Sequence, residues 1–279
     1  MKTLKTTLLL TALTLLLLGL GETFGGQRGL TFALVVAVLM NGTAYFFSDK
    51  IALASSGAVP ISREQAPRLY TVMERLAAKA NLPMPKLYLI PQAAPNAFAT
   101  GRNPSHASVA VTRGLLELMS DDELEGVIAH ELSHVRNYDI LTSSIAATIA
   151  GAITWIARMG FWFGGGGDDR ERGGGLTALL MLILAPIAAL LLQLGISRQR
   201  EYQADASGAQ MVGYPDGLIS ALEKLGAYNK RIPMDVPPTT SALMIVAPLS
   251  AGQIFSSLFS THPPLSERIA ALRSMTITR

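Results

Sequence analysis

Four stretches of this 279-residue chain carry no charge, Thr6 to Gly21, Gly29 to Ser48, Ile140 to Ala157 and Gly173 to Ser197, and they constrain the fold before any motif does. A helix needs about 20 apolar residues to cross a bilayer, so the second and fourth stretches are comfortable spans and the first and third are short. The third either crosses or is a buried helix. Its Thr142, Ser143, Ser144, Thr148 and Thr154 give it a polar face to set against protein. With 15% charged residues and a mean hydropathy of +0.35, the chain is too apolar for an ordinary soluble domain. Its length accommodates one compact domain plus several spans.

Lys2 and Lys5 precede the first leucine-rich stretch, as in a signal peptide. No A-x-A-like site follows Leu20, however, and a second apolar stretch begins almost at once, so a membrane hairpin fits better. By the positive-inside rule its basic start lies inside, the turn with Glu22 and Arg28 outside, and the domain beginning near Ser62 inside again.

From Ser62 to Tyr138 the pattern is α+β. Pro67 opens a helix with Leu69, Val72, Met73, Leu76 and Ala80 on one face. Lys86 to Ile90 and Ala107 to Thr112 read as short strands.

Within this region His130-Glu131-Leu132-Ser133-His134 has the ligand spacing of a zinc peptidase. Residues i and i+4 share a helix face, so both imidazoles reach one ion, with Glu131 beside the open coordination position as a base for water. The helix is indicated independently. Ser120 and Glu123 have capping-box spacing, and Leu124, Val127, Ile128, Leu132 and Val135 form one apolar arc with the histidines at its edge. An accidental match would leave both histidines as core or surface residues, and a third ligand decides between the two readings.

Glu201 is that candidate, in Ser197-Arg198-Gln199-Arg200-Glu201-Tyr202-Gln203-Ala204-Asp205, where charge returns abruptly. Asp205, one turn on, is placed to accept the second ring N–H of a histidine ligand. Taken alone, the pair would be a solvated face on which Arg198 or Arg200 pairs with the acids. If His134 and Glu201 bind one ion, an even number of crossings separates them. The third and fourth stretches therefore both cross or neither does, and the glycine-rich loop from Gly164 to Gly175 lies outside if they cross. Ser241 to Leu258 is also uncharged, but Pro248, Gly252 and Gln253 favour a buried or interfacial segment near the cleft.

The absence of cysteine excludes disulfides, thiol catalysis and cysteine-ligated zinc. A net charge of +3 with no dense basic run gives no reason for a nucleic-acid partner.

H-E-x-x-H with a distant E-x-x-x-D is the gluzincin arrangement. With S-R-x-R-E-Y-x-A-D, Asn96-Ala97-Phe98-Ala99-Thr100-Gly101 and His262-Pro263-Pro264, the chain resembles the HtpX membrane metalloproteases, relatives of the CAAX prenyl proteases. The resemblance covers nearly the whole chain. It implies an α+β, mainly helical fold, a gluzincin-like domain with a small sheet and about four transmembrane helices. It also implies one Zn2+ per subunit on His130, His134 and Glu201, with Glu131 catalytic, in the inner membrane of a bacterium with the site facing the cytoplasm.

Asn96, Ala97 and Phe98 resemble the edge strand that holds an extended peptide, although Asn96 could equally shape a turn after Pro95. His262, then Asn96, are candidates to stabilise the oxyanion, with Arg268 orienting His262; alternatively His262 only starts the last helix. The implied substrates are misfolded or damaged membrane proteins and unfolded chains. A peptidase trimming specific tails, or a non-enzymatic zinc-bearing scaffold, are the alternatives. The expected parts are a hairpin (1–50), a protease region (51–139), two membrane-associated helices (140–197) and a second protease region (198–279).

Overall fold

The computed structural model describes residues 2–163, 187, 197–229, 231, 234, 236–237, 240, 242–246 and 263–276. Helix α1 (Lys2–Ser55) is broken at Gly26, whose φ of 53° suits a residue without a Cβ. There it folds back on itself. Asn41 Nδ2, in the second limb, donates to Thr14 Oγ1 in the first at 2.8 Å, so a polar pair ties the limbs together. Thr6–Thr23 and Gly25–Ser55 are each long and apolar enough to cross a membrane, and Leu15, Phe32, Val38 and Leu39 are exposed along them. This is the expected hairpin, with longer limbs than the uncharged stretches suggested.

Helix α2 (Pro67–Lys79) buries Leu69, Val72, Met73 and Leu76, and Pro67 sits at its first turn, where a missing N–H costs nothing. Four strands follow the order β1 (Val59–Pro60), β2 (Lys86–Ile90), β4 (Ala107–Thr112), β3 (Ala97–Gly101). β2 and β4 run parallel, and β3 lies antiparallel to β4 at the sheet edge. Both strands expected from the sequence are present at the expected bounds.

A short helix α3 (Arg113–Leu118) leads into α4 (Asp121–Arg136), which begins at the expected capping box. Glu123 of that box also accepts from Ser220 Oγ and from Lys224 Nζ. Leu124, Val127, Ile128, Leu132 and Val135 are fully buried in the main core, as their periodicity requires.

Helix α5 (Asp139–Phe163) runs for 25 residues directly after α4. Its Ile145, Ala146, Ile149 and Ala150 pack with Leu9, Leu13 and Ala44 of the hairpin, and Ile187 packs against the same cluster. Apart from Ser197, the other residues of the fourth apolar stretch, the loop from Gly164 to Gly175 and most of Ser241 to Leu258 lie outside the described residues. Among the described residues only the two hairpin limbs meet the length and polarity of a membrane span; Asp139–Ile153 is a shorter apolar helix.

Helices α6 (Arg198–Val212), α7 (Asp216–Asn229) and α8 (Leu265–Arg273) are the remaining helices among the described residues. α6 crosses α4 at Gly208, where an added Cβ would stand 3.0 Å from the His130 backbone nitrogen. That contact brings the two motif-bearing helices together.

Candidate metal centre and active site

His130 and His134 project from α4 with their Nε2 atoms 3.2 Å apart. Glu201, on the first turn of α6, places Oε2 3.7 Å from His130 Nε2 and Oε1 3.5 Å from His134 Nε2. Their ligand atoms all lie within 4.8 Å of one another. A tetrahedral ion with ligands at about 2.0–2.1 Å holds them roughly 3.3–3.4 Å apart, so these separations suit a divalent cation bound by nitrogen and oxygen.

The electrostatics agree. Burial holds the His130 imidazole below its ordinary range, in the neutral form that ligates metals. Burial also pulls on His134, but the carboxylates of Glu201, Asp139 and Glu131 outweigh it and raise that ring. So much negative charge around one imidazole favours a cation between them. Glu131 is buried, and burial pushes its carboxyl up to about 7, with Glu201 adding to the rise while His134 and the Ala99 N–H oppose it.

Each imidazole has a backing carboxylate. His130 Nδ1 is 2.9 Å from Asp205 Oδ1, and Arg268 donates to both Asp205 oxygens, from Nη2 at 2.7 Å and Nε at 2.8 Å. His134 Nδ1 is 3.4 Å from Asp139 Oδ2, and Arg200 Nη1 donates to Asp139 Oδ1 at 3.1 Å. Arg268 therefore contacts Asp205, and through Nη1 the Ile245 carbonyl at 2.8 Å; His262, which it was expected to orient, lies outside the described residues.

The cleft over the histidines is lined by Ala99, Glu131, Ile140, Ser143, Glu201 and the segment Ala242 to Ile245. Asn96, Ala97 and Phe98 are absent from that lining. Their polar groups are engaged elsewhere: Asn96 Nδ2 donates to the Val246 carbonyl at 2.8 Å, Val246 N–H to Asn96 Oδ1 at 3.4 Å, and Ile245 N–H to the Ala97 carbonyl at 2.9 Å. Asn96 also shapes the entry to β3, since its backbone N–H donates to Thr112 Oγ1. Phe98 is fully buried with Ile90, Met234 and Met244. The edge strand reaches the cleft at Ala99.

Residues 63–276 match the description of peptidase family M48. The chain belongs to that family. It is 57% identical over 273 residues to a protein named Protease HtpX homolog from Desulfatibacillum aliphaticivorans, covering 96% of this chain and 88% of the relative. A Protease HtpX homolog from Thermodesulfovibrio yellowstonii is 54% identical, with 99% of each chain covered. Among solved structures, the fold is similar to the crystal structure of S. mikatae Ste24p, with a TM-score of 0.51 at 22% identity, spanning 94% of this chain and 62% of that one. The family and the apolar hairpin together make this M48 peptidase a membrane metalloprotease.

Two features of this M48 peptidase were not read from its sequence. Asp139 falls between the α+β region and the third apolar stretch and was assigned no role, although a lone acid opening an apolar helix five residues after His134 is a usable signal. The pairing of Val246 with Asn96 carried none, because the two are 150 positions apart, although the uncharged stretch around it was expected to be buried or interfacial near the cleft, and Ala242 to Ile245 do line it.

Proposed function

We propose that this protein is a zinc endopeptidase of the bacterial inner membrane, with its active site on the cytoplasmic side, that cleaves misfolded or damaged membrane proteins. The observation that carries the reading is the convergence of His130, His134 and Glu201 beside a buried Glu131 in one cleft. Three protein ligands leave a fourth position open, as a catalytic rather than a structural site requires. Bound there, zinc supplies Lewis acidity toward a peptide carbonyl and acidifies water.

The chain's own residues do the rest. Glu131 takes a proton from the attacking water and passes it to the leaving amine, and its burial beside the histidines raises its carboxyl above the ordinary range, which favours both tasks. β3 reaches the cleft at Ala99, and its main chain there is the proposed docking edge for an extended peptide, a recognition mode that demands little sequence and so suits unfolded substrates. His262 is the proposed oxyanion donor. Lys2 and Lys5 anchor the amino end inside, which puts the domain after the hairpin in the cytoplasm.

The test is purification in detergent with metal analysis and an unfolded-protein cleavage assay. One zinc per chain and cleavage of several unrelated unfolded proteins are expected, both lost in His134→Ala. Cleavage of one defined tail alone would replace this reading with that of a processing peptidase.

A further inference from the structure

We infer that Asp139 is a positioning residue for the metal ligand His134, and that through it the membrane-side helix α5 is built into the metal centre. The inference rests on His134 being a ligand, as proposed above. His134 turns Nε2 toward His130 Nε2 and Glu201 Oε1, at 3.2 and 3.5 Å. A ring that gives Nε2 to a cation carries its proton on Nδ1, and the acceptor facing Nδ1 is Asp139 Oδ2 at 3.4 Å.

The arrangement repeats the one around His130. There the order is imidazole, Asp205, Arg268; here it is imidazole, Asp139, Arg200, with Arg200 Nη1 3.1 Å from Asp139 Oδ1. Asp205 and Arg200 both lie on α6, so the helix that supplies Glu201 also braces both histidines.

A plainer reading is that Asp139 only favours the positive N-terminal end of α5. Two observations count against it. Side-chain exposure is 16% for His134 and 13% for both Asp139 and Arg200, so the carboxylate is turned into the protein between them. Tyr138 has a φ of 63°, a left-handed conformation costing a residue with a Cβ roughly 1–2 kcal/mol. This strained residue is what allows α5 to start immediately after α4 with its first side chain directed back at His134, one turn up the preceding helix.

The consequence is mechanical. α5 packs on the membrane hairpin through Ile145, Ile149 and Ala150, while its first residue orients a ligand, so a shift of α5 moves the ring.

The experiment compares full-length wild type, Asp139→Ala, Asp139→Asn and His134→Ala in detergent. The zinc dissociation constant is read by competition with a chelator, alongside the thermal midpoint of each metal-free protein. Asp139→Ala is expected to weaken zinc about 10- to 100-fold. Asp139→Asn, which keeps an oxygen acceptor in place, should weaken it less, and the metal-free midpoints of the two should agree. Wild-type affinity in Asp139→Ala while His134→Ala loses zinc overturns the role of Asp139 and leaves the ligand set standing. Equal weakening in both Asp139 variants together with lowered metal-free midpoints overturns it in favour of a structural role. Wild-type zinc affinity in His134→Ala instead overturns the ligand assignment itself.

Discussion

His130 Nδ1 lies 2.9 Å from Asp205 Oδ1, while Arg268, with no exposed surface, holds both oxygens of that carboxylate. Two changes separate the functions of this cluster. Asp205→Asn should weaken zinc binding about 10- to 100-fold by loosening the His130 ring. Arg268→Met leaves the Asp205 charge buried without its cation and frees the Ile245 carbonyl, so it should cost about 3–5 kcal/mol of stability. Denaturant midpoints of the metal-free proteins check this, and an unchanged midpoint in Arg268→Met would be incompatible with the pairing.

As the proposed base Glu131 acts in its carboxylate form, so on that proposal activity falls as pH drops through its pKa. Burial pushes that value up to about 7 in the metal-free protein, and a bound cation lowers it. The acid limb of kcat/KM for the zinc enzyme should therefore lie at or below 7, and Glu131→Gln should keep stoichiometric zinc without turnover. An acid limb well above 7 would contradict the assignment.

Glu123 provides a pH test of the fold alone. Burial would raise its carboxyl, but Lys224, Ser220 and the Ser120 N–H outweigh burial and hold it down at about 2. A lowered folded value stabilises above the ordinary carboxyl range and is lost as pH falls through the folded one. The stability advantage of wild type over Glu123→Gln should be full above about 4.5 and should vanish by about 2. Thermal midpoints across that interval decide the matter.

Asn96→Ala removes a fully buried amide that both donates to and accepts from Val246. It should lower stability by about 1–3 kcal/mol, because the Val246 groups lose their partner. The loss should appear equally in an inactive Glu131→Gln background without metal. A stable Asn96→Ala protein defective only in turnover would instead return Asn96 to oxyanion stabilisation.

The chain has no cysteine, so single introduced cysteines report topology cleanly. Cysteines at Glu22 and Arg170 should react with an impermeant thiol reagent outside intact cells, and those at Lys86 and Arg273 only after lysis. Labelling of position 86 in intact cells would invert the proposed orientation.

The parts of the fold set by local rules were legible in the sequence. The capping box at Ser120 and Glu123, the apolar arc of α4 and the bounds of β2 and β4 follow from spacing that neighbouring residues enforce. The gathering of His130, His134, Glu201 and Asp205 was legible because the ligand chemistry admits few residue types. β3 was harder to place: all five of its residues are buried, so it lacks the alternation that marks a half-exposed strand. The engagement of Asn96 by Val246 and of Arg268 by Asp205 and Ile245 depends on tertiary approach, which no periodicity records.

Gly208 lies seven residues beyond Glu201 on α6, about 10 Å along the axis at 1.5 Å per residue, where that helix rests on the backbone of His130. Its missing side chain works as a shim of zero thickness. A side chain there would crowd the Ala129–His130 backbone at 3.0–3.2 Å, so the two helices would have to part by a few tenths of an ångström, and the helix that carries Glu201 would shift with them. The distance between the Glu201 carboxylate and the two imidazoles thus depends on the spacing of two helices, held close at a residue that is not itself one of the three donors.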